Sequence, residues 1–197
     1  MDHQIASRKL IFTIVLLSIF LLSLSGIATV ISTNVHITIC SDGSQATTLI
    51  RLLNKQYILM PSSSLKETLD CMGEAMSYYE RTIDFVIASE NNTVVKALKA
   101  RYQIKNVQPA FNLKVKNIAI KQEKQHLVIQ GNKTYLLYNK QITNPFTFVD
   151  EVRQNNPKVV IMPQMESHIR SVLSQWSDFM LFDVVELPKG RKIRFAL

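Results

Sequence analysis

Four histidines could carry metal or general acid–base chemistry in this 197-residue chain, and their spacing speaks against both. His3 precedes a long apolar stretch, His36 falls on an alternating strand pattern, His126 sits in a basic loop and His168 on a late helix. No His-x-His or His-x-x-x-His pair occurs, the spacings that set two imidazoles side by side on a loop or one helix face. Glu166 and His168 are two positions apart in a helical pattern, which sends their side chains to different faces. Ser62, Ser63 and Ser64 read as turn and cap residues, and the five glycines are too scattered for a phosphate-cradling loop. Cys40 closes a strand and Cys71 lies within a helix. Buried thiols are the first reading of the pair, and a disulfide is the alternative if the domain is translocated. Asn91-Asn92-Thr93 and Asn132-Lys133-Thr134 are glycosylation acceptors in a host that glycosylates.

The element that would position any site is the stretch 83–101. Ile83 and residues 85–88 form an apolar, β-branched run that predicts a buried strand. Ser89, Asn91 and Asn92 can turn or cap the chain, and Val94, Val95 and Leu98 then fall on one helical face. Loops at the carboxyl ends of sheet strands are where α/β folds place their chemistry. This one offers Ser89, Glu90, Asn91, Asn92 and Thr93, without His, Asp or Cys.

Upstream, residues 35–40 alternate as a half-buried strand, and 47–53 and 56–60 predict a hairpin about Asn54-Lys55. Ser64 and Glu67 form a capping-box signature for a helix running to about Tyr79. Downstream, 104–107 is a short strand closed by Pro109, and Leu113, Val115, Ile118 and Ile120 alternate with lysines as solvent-facing strands. Gly131-Asn132 predicts a tight hairpin between 127–130 and 133–138. A short helix from Pro145 to Val152, a strand at 158–162 and an amphipathic helix from Met165 to Trp176 follow. Two last strands, 180–187 and 192–195, are joined by a Pro188-Lys189-Gly190 turn. Antiparallel strands first, then strand–helix–strand alternation, predict an α/β domain with a mixed sheet and flanking helices.

Residues 10–31 hold no charge and are apolar on every side, long enough to cross a bilayer as a helix. Arg8 and Lys9 precede this stretch and no basic residue follows until Arg51, so the positive-inside rule places the amino terminus inside and the body outside. The expected organisation is a cytoplasmic tail at 1–9, a single-pass anchor at 10–31 and a folded extracytoplasmic domain at 33–197. A cleaved signal peptide ending near Ser25-Gly26-Ile27-Ala28 is the rival.

The formal charge is +8, and it is uneven: from Asn91 to Val149 ten lysines and arginines face one acid, Glu123. A solvated basic surface explains this plainly. A field of that sign also suits an anionic partner such as nucleic acid, acidic lipid or an acidic protein. The candidate contact residues are Lys114, Lys116, Lys121 and Lys124, with Arg191, Lys192 and Arg194 near the end. Few aromatics interleave with them, so base stacking is poorly supported and polyanion binding would be mostly non-specific.

The order of elements from Val35 to Val107 resembles the amino-terminal half of a metallo-β-lactamase-fold domain, and more narrowly the soluble domain of the ComEC family of competence proteins, which act in DNA uptake. That family carries a strand, an Asp-x-Gly-Gln-Gly-Asp turn, a second strand, a third ending in Asp-Gly-Gly, a helix, and a strand ending in Thr-His-x-Asp-x-Asp-His. Here Ser41-Asp42-Gly43-Ser44-Gln45-Ala46 occupies the first turn, with only Gly43 matching. Met60 stands where the next Asp would be. Tyr79-Glu80-Arg81-Thr82-Ile83-Asp84-Phe85-Val86-Ile87 is the best local match, to Trp-Asp-Arg-x-Ile-Asp-x-Val-Val. Ser89, Asn91, Thr93 and Val94 then fall on the metal-binding positions. More loosely, 131–138 resembles the strand before a ligand Asp, with Tyr138 or Asn139 at its end. Likewise 159–164 resembles a strand ending in a ligand His, and 190–195 the closing strand.

The resemblance implies a shortened metallo-β-lactamase-like domain without the side chains that hold two ions about 3.5–4 Å apart. Neither a catalytic residue, a metal ligand nor a cofactor is expected. The leading expectation is a non-catalytic, membrane-anchored interaction or scaffold protein, with an envelope or DNA-uptake complex as its setting. The alternatives are a basic extracytoplasmic DNA-binding module and a hydrolase with an unrecognised site.

Overall fold

The computed structural model describes residues 35–53, 55–123, 126–177 and 182–197. The stretch 10–31, read above as an anchor, and Lys124 lie outside the described residues. Among the described residues no helix is long and apolar enough to cross a membrane.

The first strands follow the predicted alternation. β1 (His36–Ser41), β2 (Ala46–Arg51) and β3 (Tyr57–Met60) form an antiparallel meander. The helix α1 (Leu65–Ala75) is capped by Ser64, whose hydroxyl accepts from Glu67 N. The Ser64 N–H donates to Ser62 Oγ, so the reciprocal half of the capping box is made by a serine rather than by Glu67. The helix stops at Ala75, four residues before the expected end at Tyr79, and Met76 leaves it in extended conformation. β4 (Thr82–Ile87), α2 (Thr93–Lys99) and β5 (Gln103–Gln108) complete a parallel strand–helix–strand unit.

Past Pro109 the chain crosses to a second sheet. β6 (Asn112–Val115) and β7 (Ile118–Glu123) form a hairpin, as do β8 (His126–Gln130) and β9 (Thr134–Tyr138). α3 (Pro145–Asn155), β10 (Val159–Pro163), α4 (Ser167–Ser177), β11 (Asp183–Leu187) and β12 (Lys192–Ala196) follow. The sheet orders are β12-β1-β2-β3-β4-β5 and β11-β10-β9-β8-β7-β6, six strands each. The single mixed sheet expected from the element order is therefore two mixed sheets. The last two strands do not form a hairpin either: β11 pairs with β10, whereas β12 crosses to pair with β1. Nothing local in Pro188-Lys189-Gly190 distinguishes a hairpin turn from a link between sheets.

The layers follow from side-chain alternation, since successive residues of a strand face opposite sides. Ile37, Ile39, Ile50, Ile58 and Met60 of the first sheet meet Ile120, Leu127, Ile129, Leu137 and Ile161 of the second in the central core. Leu49, Leu59, Met72, Val94, Val95 and Leu98 form a second core under α1 and α2. Val128, Leu136, Phe148, Val152, Val160, Met162 and Ile169 form a third under α3 and α4. The result is a helix–sheet–sheet–helix sandwich.

Cys40 on β1 and Cys71 on α1 are joined in a disulfide with a Cα separation of 5.8 Å, inside the usual bridging range. This overturns the free-thiol reading. Strand alternation turns Cys40 away from the central core and towards the helix that carries Cys71.

The sandwich has two distinct ends. At the proximal end Val35 leads into β1, and β3, β4 and β5 also begin there, because they run parallel to β1. At the distal end β1 turns into β2. Asn139, just past β9, accepts from Ala46 N at 2.9 Å, so the parallel strands of the second sheet close at the distal end as well.

Candidate functional site

The distal end gathers the loops after β3, β4, β9, β10 and β11 around the β1–β2 turn. Asp42 organises that turn: its Oδ1 accepts from Ser44 N at 2.8 Å, Ser44 Oγ at 3.1 Å and Gln45 N at 2.5 Å. Gly43 has φ of 98°, and a Cβ there would lie 3.2 Å from Lys189 Cβ, so both backbone and space call for glycine. Gly190 N donates to Ser41 O and Ser41 N to Arg191 O, which fastens the last strand to the turn.

Amides close the space between the sheets here. Gln141 Nε2 donates to Gly43 O at 3.3 Å and Gln164 O at 2.8 Å, and Gln45 Oε1 accepts from Ser63 N at 2.7 Å. Beneath them Thr47, Ser62 and Thr68 are buried and hydrogen-bonded through their hydroxyls. Met60 is core, 2% exposed.

The loop after β4 is spent on structure. Asn92 is the N-cap of α2, with Oδ1 accepting from Val94 N at 2.8 Å and Val95 N at 3.4 Å. Val94 is buried, while Ser89, Asn91 and Thr93 are exposed. A zinc dication takes thiolate, imidazole or carboxylate. The positions at which the resemblance would put ligands offer two hydroxyls, one carboxamide and a buried isopropyl group, so the residues present do not fit the metal. Among the described residues no group of three or more His, Cys, Asp or Glu gathers to hold one elsewhere.

The chemistry the distal end does hold is a carboxyl pair. The carboxyls of Asp42 and Glu67 act on each other across the β1–β2 turn and the first turn of α1. Burial, then the Asp42 hydrogen bond and its charge, hold the Glu67 carboxyl above the usual range, against a smaller opposing pull from Lys189. At Asp42 burial pushes upward, but hydrogen bonds from Gln45 N, Glu67 and Ser44 outweigh it and hold the carboxyl below the usual range. Of the two carboxyls, Glu67 is thus the one that holds a proton more readily. Sequence reasoning read these residues as a turn and a cap, and no local signal joins positions 25 apart. Glu67→Gln supplies a permanent donor to Asp42. An acid with a raised folded pKa stabilises while protonated, and that contribution is lost as pH rises through the folded value. The variant is thus expected to melt higher than the parent near pH 8, by a difference on the order of 1 °C that disappears near pH 4, in a thermal-melt pH series.

Beside this end a hollow of about 210 Å³ opens at the start of α3, lined among others by Tyr138, Gln141, Asn144 and Glu151. The Tyr138 hydroxyl donates to Glu151 at 2.8 Å; burial and that carboxylate hold its proton firmly, so it is not a nucleophile. His126 is not in a loop as expected. It lies on β8, 1% exposed, with Nδ1 3.3 Å from Glu151, Nε2 3.7 Å from Glu123 and its ring 5.0 Å from that of Tyr138. His36 is half-buried on β1 and His168 exposed on α4. Glu166 and His168 do meet, at 3.3 Å, because Glu166 precedes the helix rather than lying on it.

The basic residues picked out from the sequence are not brought together. Lys114 and Lys121 share the outer face of β6 and β7, where Lys121 is paired with Glu123, and Lys116 lies in the turn between those strands. Arg191 immediately precedes β12, which carries Lys192 and Arg194, both engaged by Glu74. β12 and β6 lie at opposite edges: Phe195 stacks on Tyr135 of β9, whereas Phe111, just before β6, meets Phe85 of β4.

No protein-family model and no curated protein matches this sequence. Among solved structures, the metallo-β-lactamase fold protein YhfI from Bacillus subtilis superposes with a TM-score of 0.52 at 10% identity, over 82% of this chain and 100% of that one. With its two six-stranded mixed sheets between pairs of helices, the described part of this chain has the metallo-β-lactamase fold.

Proposed function

We propose that this protein is a non-hydrolytic, membrane-anchored relative of metallo-β-lactamase-fold enzymes that works by binding rather than by catalysis. The observation that carries this reading is the commitment of the loop after β4. Ser89, Asn91, Thr93 and Val94 stand where the resemblance puts metal ligands; none is an imidazole or a carboxylate, Val94 is core, and Asn92 between them caps a helix. The uncharged 10–31 stretch supports an anchor, and the Cys40–Cys71 bridge supports an oxidising, extracytoplasmic compartment. The resemblance of residues 35–107 to the ComEC soluble domain favours an envelope or DNA-uptake assembly as its setting.

The test is metal analysis of the purified full-length protein after zinc loading and desalting. Zinc well below one per chain is expected, with no chelator-sensitive hydrolysis of phosphodiester or lactam substrates. Stoichiometric zinc, removable by chelator with loss of hydrolysis, would overturn the proposal. A second reading, nucleic-acid binding, is favoured by the charge between Asn91 and Val149. Retention of duplex DNA that falls steeply with salt would support it.

A further inference from the structure

The proximal end of the sandwich is unlike the distal one. Tyr78 and Tyr79, in the loop between α1 and β4, are 89% and 80% exposed, the most exposed large apolar side chains described. Arg81 lies against two rings, 5.6 Å from the centroid of Tyr78 and 5.7 Å from that of Tyr102. Exposed cations share this end: Lys55 in the β2–β3 turn, Arg101 ahead of β5, and Lys116, Lys133 and Lys158 at the proximal turns of the second sheet. The acids at this end are few. Glu80 accepts from the Tyr57 hydroxyl and from Ser77 N, Asp84 is buried against Lys105, and Asp183 begins β11. The distal end, by contrast, carries Asp42, Glu67, Glu90, Glu166 and Glu186 among its cations.

Chain connectivity says what this end faces. Val35 enters β1 here, and in sequence only Ser32, Thr33 and Asn34 separate it from the apolar 10–31 stretch. Three residues reach at most about 10 Å, so a chain anchored through that stretch carries this end close to the lipid headgroups. Tyrosine, with an apolar body and a polar tip, partitions to the bilayer interface, and lysine and arginine are attracted to an anionic surface within a Debye length of it.

We propose that the proximal end, which carries Tyr78, Tyr79 and Arg81 together with the exposed Lys55, Arg101 and Lys133 on its turns, is a docking surface for anionic phospholipid headgroups. It holds the domain against the bilayer and leaves the distal end presented outward. The inference rests on the anchored reading above, and it assigns the basic charge to lipid instead of nucleic acid.

The test uses the full chain with Tyr79→Trp, and Trp176→Phe to remove the other indole, reconstituted in vesicles with headgroup-proximal brominated lipid. Quenching of the introduced indole is expected with about one-third phosphatidylglycerol. It should be lost in pure phosphatidylcholine and in about 0.5 M salt. Adding Arg81→Glu, Arg101→Glu and Lys133→Glu is expected to abolish quenching, whereas Lys140→Glu at the distal end leaves it unchanged. Absence of quenching in the anionic vesicles overturns the proposal, as does an equal loss with Lys140→Glu. Salt-sensitive DNA binding without quenching overturns it in favour of nucleic acid. Extraction by alkaline carbonate reports separately on the anchor. Chains that are extracted yet quenched refute the span and leave the docking surface standing.

Discussion

Replacing Cys40 and Cys71 together by alanine lowers the melting temperature by roughly 6–16 °C. The bridge joins residues 31 apart, β1 to α1. Closing a loop of that length removes unfolded-chain entropy worth roughly 3–4 kcal/mol, and in a domain of this size each kilocalorie moves the midpoint by about 2–4 °C. The double variant still folds, because Met72, Leu59 and Leu49 continue to pack α1 on the first sheet. Differential scanning calorimetry with and without reductant checks this: the parent under reduction should coincide with the double variant, and a parent insensitive to reductant would contradict the bridge.

Asp84→Ala is the second large effect, a loss of about 2–4 kcal/mol read from urea denaturation. Asp84 is 5% exposed and reaches two neighbouring strands at once. Oδ2 accepts from Tyr57 N of β3 at 2.9 Å, and Oδ1 accepts from Lys105 Nζ of β5 at 2.7 Å. Removing the carboxylate orphans a buried amide and leaves an ammonium without its partner. Lys105→Met separates the two contributions. The Lys105 side chain is 53% exposed, so its loss should cost less than half as much. Equal costs for the two variants would show that the amide contact contributes little.

Asp84 also marks how far local pattern carries. It sits in the segment that carries the strongest local resemblance, yet nothing around Ile83-Asp84-Phe85 indicates that an acid inside an apolar strand serves as a clamp between strands. Where chemistry is local, sequence was enough. The alternation of β1 and the glycine-centred β8–β9 hairpin came out where expected. So did the helix after β4, capped by Asn92, one of the three residues read as turn or cap. Where partners lie far apart in sequence, it was not. The division into two sheets, the crossing of β12, the cysteine pairing and the burial of His126 between Glu123 and Glu151 all depend on tertiary neighbours. The candidate site shows the same split. That the loop after β4 lacks ligands was visible in its residue types, but the Asp42–Glu67 carboxyl pair and the amide closure by Gln141 appear only once distant loops meet.

The pairing of the last strand with the first has a bearing on biosynthesis. β1 receives one edge partner at once, from β2, but its other partner β12 is made about 150 residues later. At about 5–20 residues per second the ribosome needs roughly 8–30 s to deliver it. Throughout that interval the nascent chain presents an open strand edge of the kind that templates aggregation. Release of a chain truncated before Lys192 would make that exposure permanent.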